Sequence, residues 1–310
     1  MSKGNYYYER ISKANISDLS CIAESAFGIP LDKEFLLKEY DTSYSGASFI
    51  GYIAYSIDKQ PAAFYGVFPV LCIINNEKVL LAQSGNTMTH KEHQGNGLFV
   101  QLAKLTYELC ENENIKGVFG FPNENSLPGF QRKLEWQFNG HLLKYSKRVK
   151  TLPIAYLAFK YSFINSIYKK LYQTKINKRE WFNSSIIEHG KDSIERSLSF
   201  WNYKTYHPNF TFNVGDVKVW AKINSTLYIG DIEFKKEVDY QAIIKGIIKQ
   251  AIKLGCPKIV FQISEDHWLN QYLSNEFKQE KSLPFGYLKI SSNCPELKKM
   301  QFTLADFDTF

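Results

Sequence analysis

The chain has 310 residues, 44% of them hydrophobic and 22% charged, a globular balance that excludes wholesale disorder and collagen-like fibres. Its formal charge of +7 is concentrated: residues 144–180 hold ten Lys/Arg and one acid, a local +9, and the rest of the chain carries −2. Only five of the 38 basic residues are arginine, so few groups could read bases bidentately, and a sequence-specific nucleic-acid binder is disfavoured.

The opening MSKGNYYYERISK lacks the apolar stretch of a signal peptide. The longest charge-free run, Gln60 to Asn76, holds two prolines and is too short and broken to cross a membrane as a helix. Cys21, Cys72, Cys110, Cys256 and Cys294 are widely spaced with no CxxC pair, which fits neither a disulfide framework nor a zinc site. A soluble, cytoplasmic protein is expected.

Tyr6–Ile11 reads as a strand. Asn15 or Ser17 caps a helix through Leu19, Ile22, Ala23 and Ala26 that stops at Gly28 and Pro30, and Leu31–Tyr40 reads as a second, short helix. Three apolar runs follow, Ser48–Ile57, Ala62–Ile74 and Lys78–Thr89, divided by the hairpin punctuation of Asp58-Lys59 and Asn75-Asn76. Leu98, Leu102, Leu105 and Leu109 share one helix face; Val118–Phe121 is a strand, Ser126–Leu134 a short helix and Phe138–Tyr145 a strand.

The second half repeats the later part of this order. Thr226–Phe234 reads as a strand, and Ile243, Ile244, Ile247, Ile248 and Ala251 carry a helix ended by Gly255 and Pro257. Lys258–Ile263 is a strand, His267–Asn275 a short helix and Phe285–Ile290 a strand. The expectation is an α/β (α+β) chain holding two copies of one fold, over 1–145 and 213–310.

Residues 146–212 form a basic amphipathic helical connector. Ile154, Leu157, Tyr161, Ile164, Tyr168 and Leu171 put an apolar stripe on one helix, flanked by Lys147, Arg148, Lys150, Lys169, Lys170, Lys175, Lys178 and Arg179. Such a helix can lie on anionic lipid. A stripe this narrow is the usual seam of packing, so the expectation is a helix packed between the domains with its lysines in water. Phe200-Trp201-Asn202-Tyr203 and Tyr206-His207-Pro208 form an aromatic patch, expected in the core and alternatively a platform for a sugar ring.

The informative stretch is Thr87-Met88-Thr89-His90-Lys91-Glu92-His93-Gln94-Gly95-Asn96-Gly97-Leu98-Phe99. A strand ends, the chain turns through two glycines, and a long amphipathic helix begins. Free N–H groups, the positive end of the helix dipole and glycines that admit positive φ together suit a phosphate. Spacing removes the alternatives. A dinucleotide fingerprint needs glycine where Val100 stands, no GK is followed by Ser or Thr, and HExxH is absent. His90 and His93, with no third ligand in view, read as solvated turn residues.

This strand–turn–helix resembles the GNAT N-acetyltransferase superfamily, whose coenzyme A pyrophosphate site is a Gln/Arg-x-x-Gly-x-Gly/Ala turn. Gln94 and Gly97 match it, and Phe99 stands where Gly or Ala is commoner. The element order over 1–145 is similar, and Phe121-Pro122-Asn123-Glu124-Asn125-Ser126 with Phe130 and Leu134-Glu135-Trp136 resembles the family's second segment, Glu135-Trp136 replacing Gly-Phe. The resemblance implies two tandem GNAT-like domains, each a mixed, mostly antiparallel sheet flanked by helices, with acetyl-CoA as co-substrate and no metal. Met88 and Thr89 would offer strand backbone to the pantetheine amides and thioester carbonyl. Gln94, Gly95, Asn96, Gly97, Leu98 and Phe99 would hold the pyrophosphate, and Asn125 and Phe130 would line the coenzyme arm.

Catalytic residues do not carry over. The register of the family's acid Tyr gives Gln131, and the strand that often supplies a base Glu reads Leu81-Ala82-Gln83-Ser84-Gly85-Asn86. Glu124 and His90 are the nearest ionisable residues and read as structural or solvated. Some tandem members use the C-terminal carboxylate, so the tail Ala305-Asp306-Phe307-Asp308-Thr309-Phe310 either reaches a site or packs. The second copy has Lys235-Lys236-Glu237-Val238-Asp239 before its helix, two acids and no glycine, which disfavours a pyrophosphate there.

The implied activity is transfer of acetyl from acetyl-CoA to a primary amine by direct attack, with an amino sugar of a surface-polysaccharide pathway as the suggested acceptor. Two alternatives stay open: a catalytically degenerate acyl-CoA-binding or scaffold module, and an aminoacyl transferase of the peptidoglycan-bridge type.

Overall fold

The computed structural model describes residues 5–176, 179–182, 184–186 and 190–310, the side chains of 173–176 excepted. The Lys175 side chain and the whole of Lys178, of the expected basic flank, thus lie outside what is described. The chain divides into two compact units, Met1–Asn139 with Pro284–Lys298 and Gly140–Leu283 with Lys299–Phe310.

Unit 1 runs β1 (Tyr6–Arg10), α1 (Asp18–Phe27), α2 (Lys33–Tyr40), β2 (Ile50–Ser56), β3 (Pro61–Ile74), β4 (Glu77–Thr89), α3 (Leu98–Asn112), β5 (Gly117–Gly120), α4 (Leu127–Lys133) and the start of β6 (Gln137–Arg148). Gly28, in the left-handed region at φ +77°, ends α1, and the Asp32 side chain accepts the Phe35 N–H at 2.9 Å to start α2. Asn75 and Asn76 both take positive φ, +50° and +66°, the geometry that lets a two-residue turn follow the twist of β3 and β4.

β1 to β4 pair antiparallel in sequence order, β4 and β5 pair parallel, and residues 286–289 pair antiparallel with β5. Strand alternation sends Tyr65, Val67 and Ala82 to one face, under Leu98, Leu102 and Ala103 of α3. Phe64, Phe68 and Met88 go to the other, against Leu19 and Ile22 of α1 and Leu36 and Tyr40 of α2.

Unit 2 holds the rest of β6, then α5 (Ile154–Lys160), α6 (Ser162–Ile176), β7 (Ser193–Ile194), α7 (Leu198–Tyr203), β8 (Phe210–Val214), β9 (Val217–Asn224), β10 (Thr226–Ile232), α8 (Tyr240–Lys253), β11 (Lys258–Ser264), α9 (Asn270–Leu273) and β12 (Lys278–Lys289), whose last residues belong to unit 1. Its sheet runs β8-β9-β10-β11-β6, antiparallel except for the parallel pair β10–β11. Both units are thus mixed, mostly antiparallel sheets with helices. The succession β8-β9-β10-α8-β11-α9-β12 repeats β2-β3-β4-α3-β5-α4-β6.

The connector departs from the single helix its stripe suggests. Tyr161 takes extended angles, φ −126° and ψ +119°, and divides the segment into α5 and α6. The break shifts the buried face: Ala155, Ala158 and Tyr168 pack into the unit 2 core, while Tyr161 and Leu171 of the expected stripe stand exposed. Alanines at the contact let α5 approach the sheet closely.

Candidate active site

Three backbone features of unit 1 shape one site. The first is a splay. β4 and β5 pair only at Ala82–Val118 and Gln83–Phe119, and β4 then continues to Thr89 held by β3 alone. The second is a bulge between Gly85 and Met88, where Asn86 takes φ +45°. Beyond the bulge the His90 N–H donates to the Ala62 carbonyl at 2.8 Å. By the alternation of an antiparallel ladder, Thr89 therefore turns its N–H and C=O away from β3, to the open side, while those of Met88 face β3. The Met88 side chain is buried beneath α1 and α2.

The third feature is the glycine turn. Gly95 and Gly97 take φ +81° and +75°, and a Cβ at either would meet nothing within 4 Å. These glycines supply backbone conformation, not room. The Asn96 amide donates to the His93 carbonyl at 3.0 Å and ties the turn. Among the described residues, the five consecutive N–H groups of Gly95 to Phe99 donate to no protein acceptor; the Val100 N–H is the first to do so, to the Gly97 carbonyl at 3.1 Å. No acid lies in the first turn of α3 to neutralise its positive end. Unpaired donors at a helix start form an anion cradle.

Phe99 turns out of this cradle. Its ring lies edge-on to Phe130 at 5.2 Å and to Tyr65 at 6.0 Å. It fits because α4 has Gly129 opposite, where a Cβ would come 2.7 Å from Phe99 Cε1. A bulky residue at the small-residue position is thus absorbed by the core. Phe130 is itself buried, 4.5 Å from Trp136, and anchors α4. Asn125 is exposed in the loop before α4, where the Asn123 side chain organises the turn by accepting the Asn125 and Ser126 N–H groups at 3.0 and 3.1 Å.

A chain of hydroxyls runs from the core to the point where β4 and β5 part. Trp136 Nε1 donates to the Tyr107 hydroxyl at 2.9 Å, which lies 3.1 Å from that of Tyr65, itself 2.9 Å from Ser84 Oγ. Burial pushes both phenols well above their ordinary range, so they stay neutral.

Sequence reasoning missed Glu39. It is only 3% exposed, and Oε2 accepts a hydrogen bond from Asn86 Nδ2 at 2.8 Å. A carboxylate is thus tethered to the bulge of the strand that itself lacks one. Two signals were present: Gly85-Asn86 inside a strand pattern marks a bulge, and Glu39 sits on the apolar face of α2 with Leu36 and Tyr40. His93 Nδ1 lies 3.0 Å from the Tyr6 hydroxyl, and His90 Nδ1 accepts the Glu92 N–H at 3.3 Å, so both belong to the turn. Glu124 is exposed.

Unit 2 has the same strand geometry but fills it. β10 also bulges, between Ile229 and Asp231. Residues 302–306 occupy the place where β10 and β11 part: Ser264 N–H donates to the Phe302 carbonyl at 3.0 Å, and Thr303 bridges Ile263. Arg196 Nη2 lies 2.7 Å from Asp306 Oδ1 and 3.1 Å from Thr303 Oγ1. Asp231, next to Arg196, accepts from Ser184 and Ser185 at 2.7 and 2.6 Å. The start of α8 is closed by the Asp239 side chain, which accepts the Ala242 N–H at 3.1 Å. The tail packs: the buried Phe310 ring lies on Gly230, where a Cβ would come 2.3 Å from its Cζ. The aromatic patch is core too, with Phe200, Trp201 and Tyr206 buried and Trp201 4.2 Å from Trp220.

Two predictions concern this filling. Gly230→Ala should destabilise the protein by about 1–3 kcal/mol through overpacking against Phe310, read as a lowered denaturation midpoint. Lys204 is buried with Nζ 2.5 Å from the Phe307 carbonyl, and burial lowers its pKa to about 7. An unfolded lysine holds its proton to about pH 10.4. The unfolded state therefore binds more protons between these values, and stability rises with pH across that window. In Lys204→Met the rise should flatten in denaturant titrations at pH 7, 8 and 9.

Comparison with known proteins gives the same picture. Residues 8–138 match the family model described as an acetyltransferase (GNAT) domain. No curated protein matches in sequence. Among solved structures, a GCN5-related N-acetyltransferase from Kribbella flavida superposes with a TM-score of 0.59 at 12% identity, over 92% of this chain and 72% of that one. Another from Anabaena variabilis gives 0.57 at 13%, over 93% and 73%. At such identities the likeness is one of fold. Residues 8–138, which hold the splayed strands and the unpaired turn, are thus similar to a GNAT-type acetyltransferase domain.

Proposed function

We propose that the protein is an N-acetyltransferase that moves acetyl from acetyl-CoA to a primary amine by direct attack. The observation that carries this reading is the run of five unpaired N–H groups from Gly95 to Phe99 at the start of α3, beside an open β4–β5 splay. The pyrophosphate would sit on that run, with the Gln94 side chain at its edge. The pantetheine would extend along the peptide groups of Thr89, past Asn125, toward the bulge.

The amine nitrogen attacks the thioester carbonyl, the tetrahedral oxyanion collapses and coenzyme A leaves as thiolate, to be protonated. One proton must leave the amine. Glu39, held by Asn86 at the bulge, is the proposed base. The open peptide N–H of Thr89 is the proposed donor to the oxyanion. The Ser84 hydroxyl, at the end of the neutral chain, is the proposed hydrogen-bond donor to the departing thiolate, which takes its proton from water.

Unit 2 is proposed as a second GNAT-like domain, built around residues 213–310, whose coenzyme position is occupied by its own residues. An amino sugar is the proposed acceptor class, on the family resemblance alone. The test is release of free coenzyme A thiol from acetyl-CoA in the presence of amino sugars, alkyl amines and peptides. Amine-dependent release supports transfer. Binding of acetyl-CoA without release for any amine would favour the degenerate binding module.

A further inference from the structure

α5 and α6 carry apolar surface that the fold leaves uncovered. Their inner face packs on unit 2 through Ala155, Ala158 and Tyr168. On the outside, Phe159, Phe163 and Leu171 are 62%, 73% and 68% exposed, accompanied by Leu152, Tyr156 and Ile167. Phe163, Ile167 and Leu171 recur every fourth residue and form one stripe of α6. Contiguous apolar surface of this kind marks an interaction site.

The charge along this segment is of one sign. No Asp or Glu occurs in the sequence between Glu135 and Glu180. Lys150, Lys160, Lys169 and Lys170 are exposed beside the aromatic and aliphatic side chains. A cavity of about 680 Å3 opens on the same helices, floored by Ala158, Phe210 and Ile223 and rimmed by Lys169 and Lys170. Among the described residues no helix is long and apolar enough to cross a membrane.

We propose that this face of unit 2 docks on an anionic lipid surface. The exposed aromatic and aliphatic side chains enter the boundary between headgroups and acyl chains, and the lysines meet lipid phosphates. Charge selects this occupant: a second copy would bring the same uninterrupted positive set against itself, whereas an anionic leaflet complements it. The connector, expected to pack with its lysines in water, thus also keeps a bare apolar outer face. The inference stands independently of the acetyltransferase reading.

The experiment is flotation of the full chain with vesicles of phosphatidylcholine alone and of phosphatidylcholine mixed with phosphatidylglycerol. The protein should float with the mixed vesicles only, and less as salt is raised. Each lysine near an anionic surface is worth about fivefold in partitioning. The triple variant Lys160→Glu, Lys169→Glu, Lys170→Glu should therefore lose at least about tenfold, and so should Phe159→Ser with Phe163→Ser. All these side chains are exposed, and an unchanged melting curve verifies folding. The proposal is overturned if the wild type does not float with the anionic vesicles, or if both folded variants float as well as it does. A concentration-dependent dimer that both variants dissolve, without flotation, would assign the face to a second copy instead.

Discussion

Gly97→Asp is expected to abolish acetyl-CoA binding, lowering affinity by at least about a hundredfold, while the protein stays folded. Gly97 begins α3 at φ +75°, and its missing Cβ faces open space. An L-residue there pays about 1–2 kcal/mol for the left-handed conformation, and Asp and Asn are among those that tolerate it best. The loss of binding would come from charge. An Asp carboxylate would stand among the unpaired N–H groups, take hydrogen bonds from them and repel a pyrophosphate. Gly97→Asn separates the two effects, because it imposes the same backbone strain without the charge and should bind acetyl-CoA more tightly than Gly97→Asp. If affinity in Gly97→Asp equals that of the wild type, the pyrophosphate does not lie at this turn.

Glu39→Gln carries the second large effect. A positioned base contributes about 10²–10⁴-fold to rate, so kcat should fall within that range. The Gln amide oxygen can still accept from Asn86 Nδ2, so the bulge and the coenzyme affinity should be kept. A structural role would change both. The pH profile gives the further discrimination: a variant lacking its base should recover activity as pH rises and the acceptor amine becomes neutral in solution. An unaltered kcat would remove Glu39 from the mechanism.

The elements that were legible in the sequence are those whose signals are local. The paired asparagines Asn75-Asn76, the Gly28 and Gly255 stops and the leucine face of α3 each depend on neighbours within a turn or two. The glycine turn was legible for the same reason, since its conformation is dictated by Gly95 and Gly97 themselves. Other features depend on partners far away in sequence. The hairpin β8–β9 over Phe210–Asn224 interleaves apolar residues with Thr211, Asn213, Lys218 and Lys222, a pattern that acquires meaning only once one face is buried. Residues 284–298 belong to unit 1, though more than a hundred residues separate them from its other strands. Glu39 was invisible as a candidate because its partner, Asn86, lies 47 residues on and reaches it only through the bulge. Phe99 departs from the Gly or Ala commoner at its position because Gly129, thirty residues on, makes room for its ring.

The filling of unit 2 bears on the number of coenzyme sites. Its strands part as those of unit 1 do, yet residues 302–306 lie between them and Asp239 caps the helix behind. Among the described residues, the open cradle at the start of α3 therefore has no open counterpart at the start of α8, and the proposed function implies one coenzyme site per chain. Calorimetric titration of the whole chain with acetyl-CoA, beside adenine nucleotides and desulfo-coenzyme A, tests this most directly. Saturable binding at one site per chain, lost in Gly97→Asp, is the predicted result. No binding at millimolar acetyl-CoA would contradict the coenzyme site, and two equivalents per chain would contradict the occupied second unit.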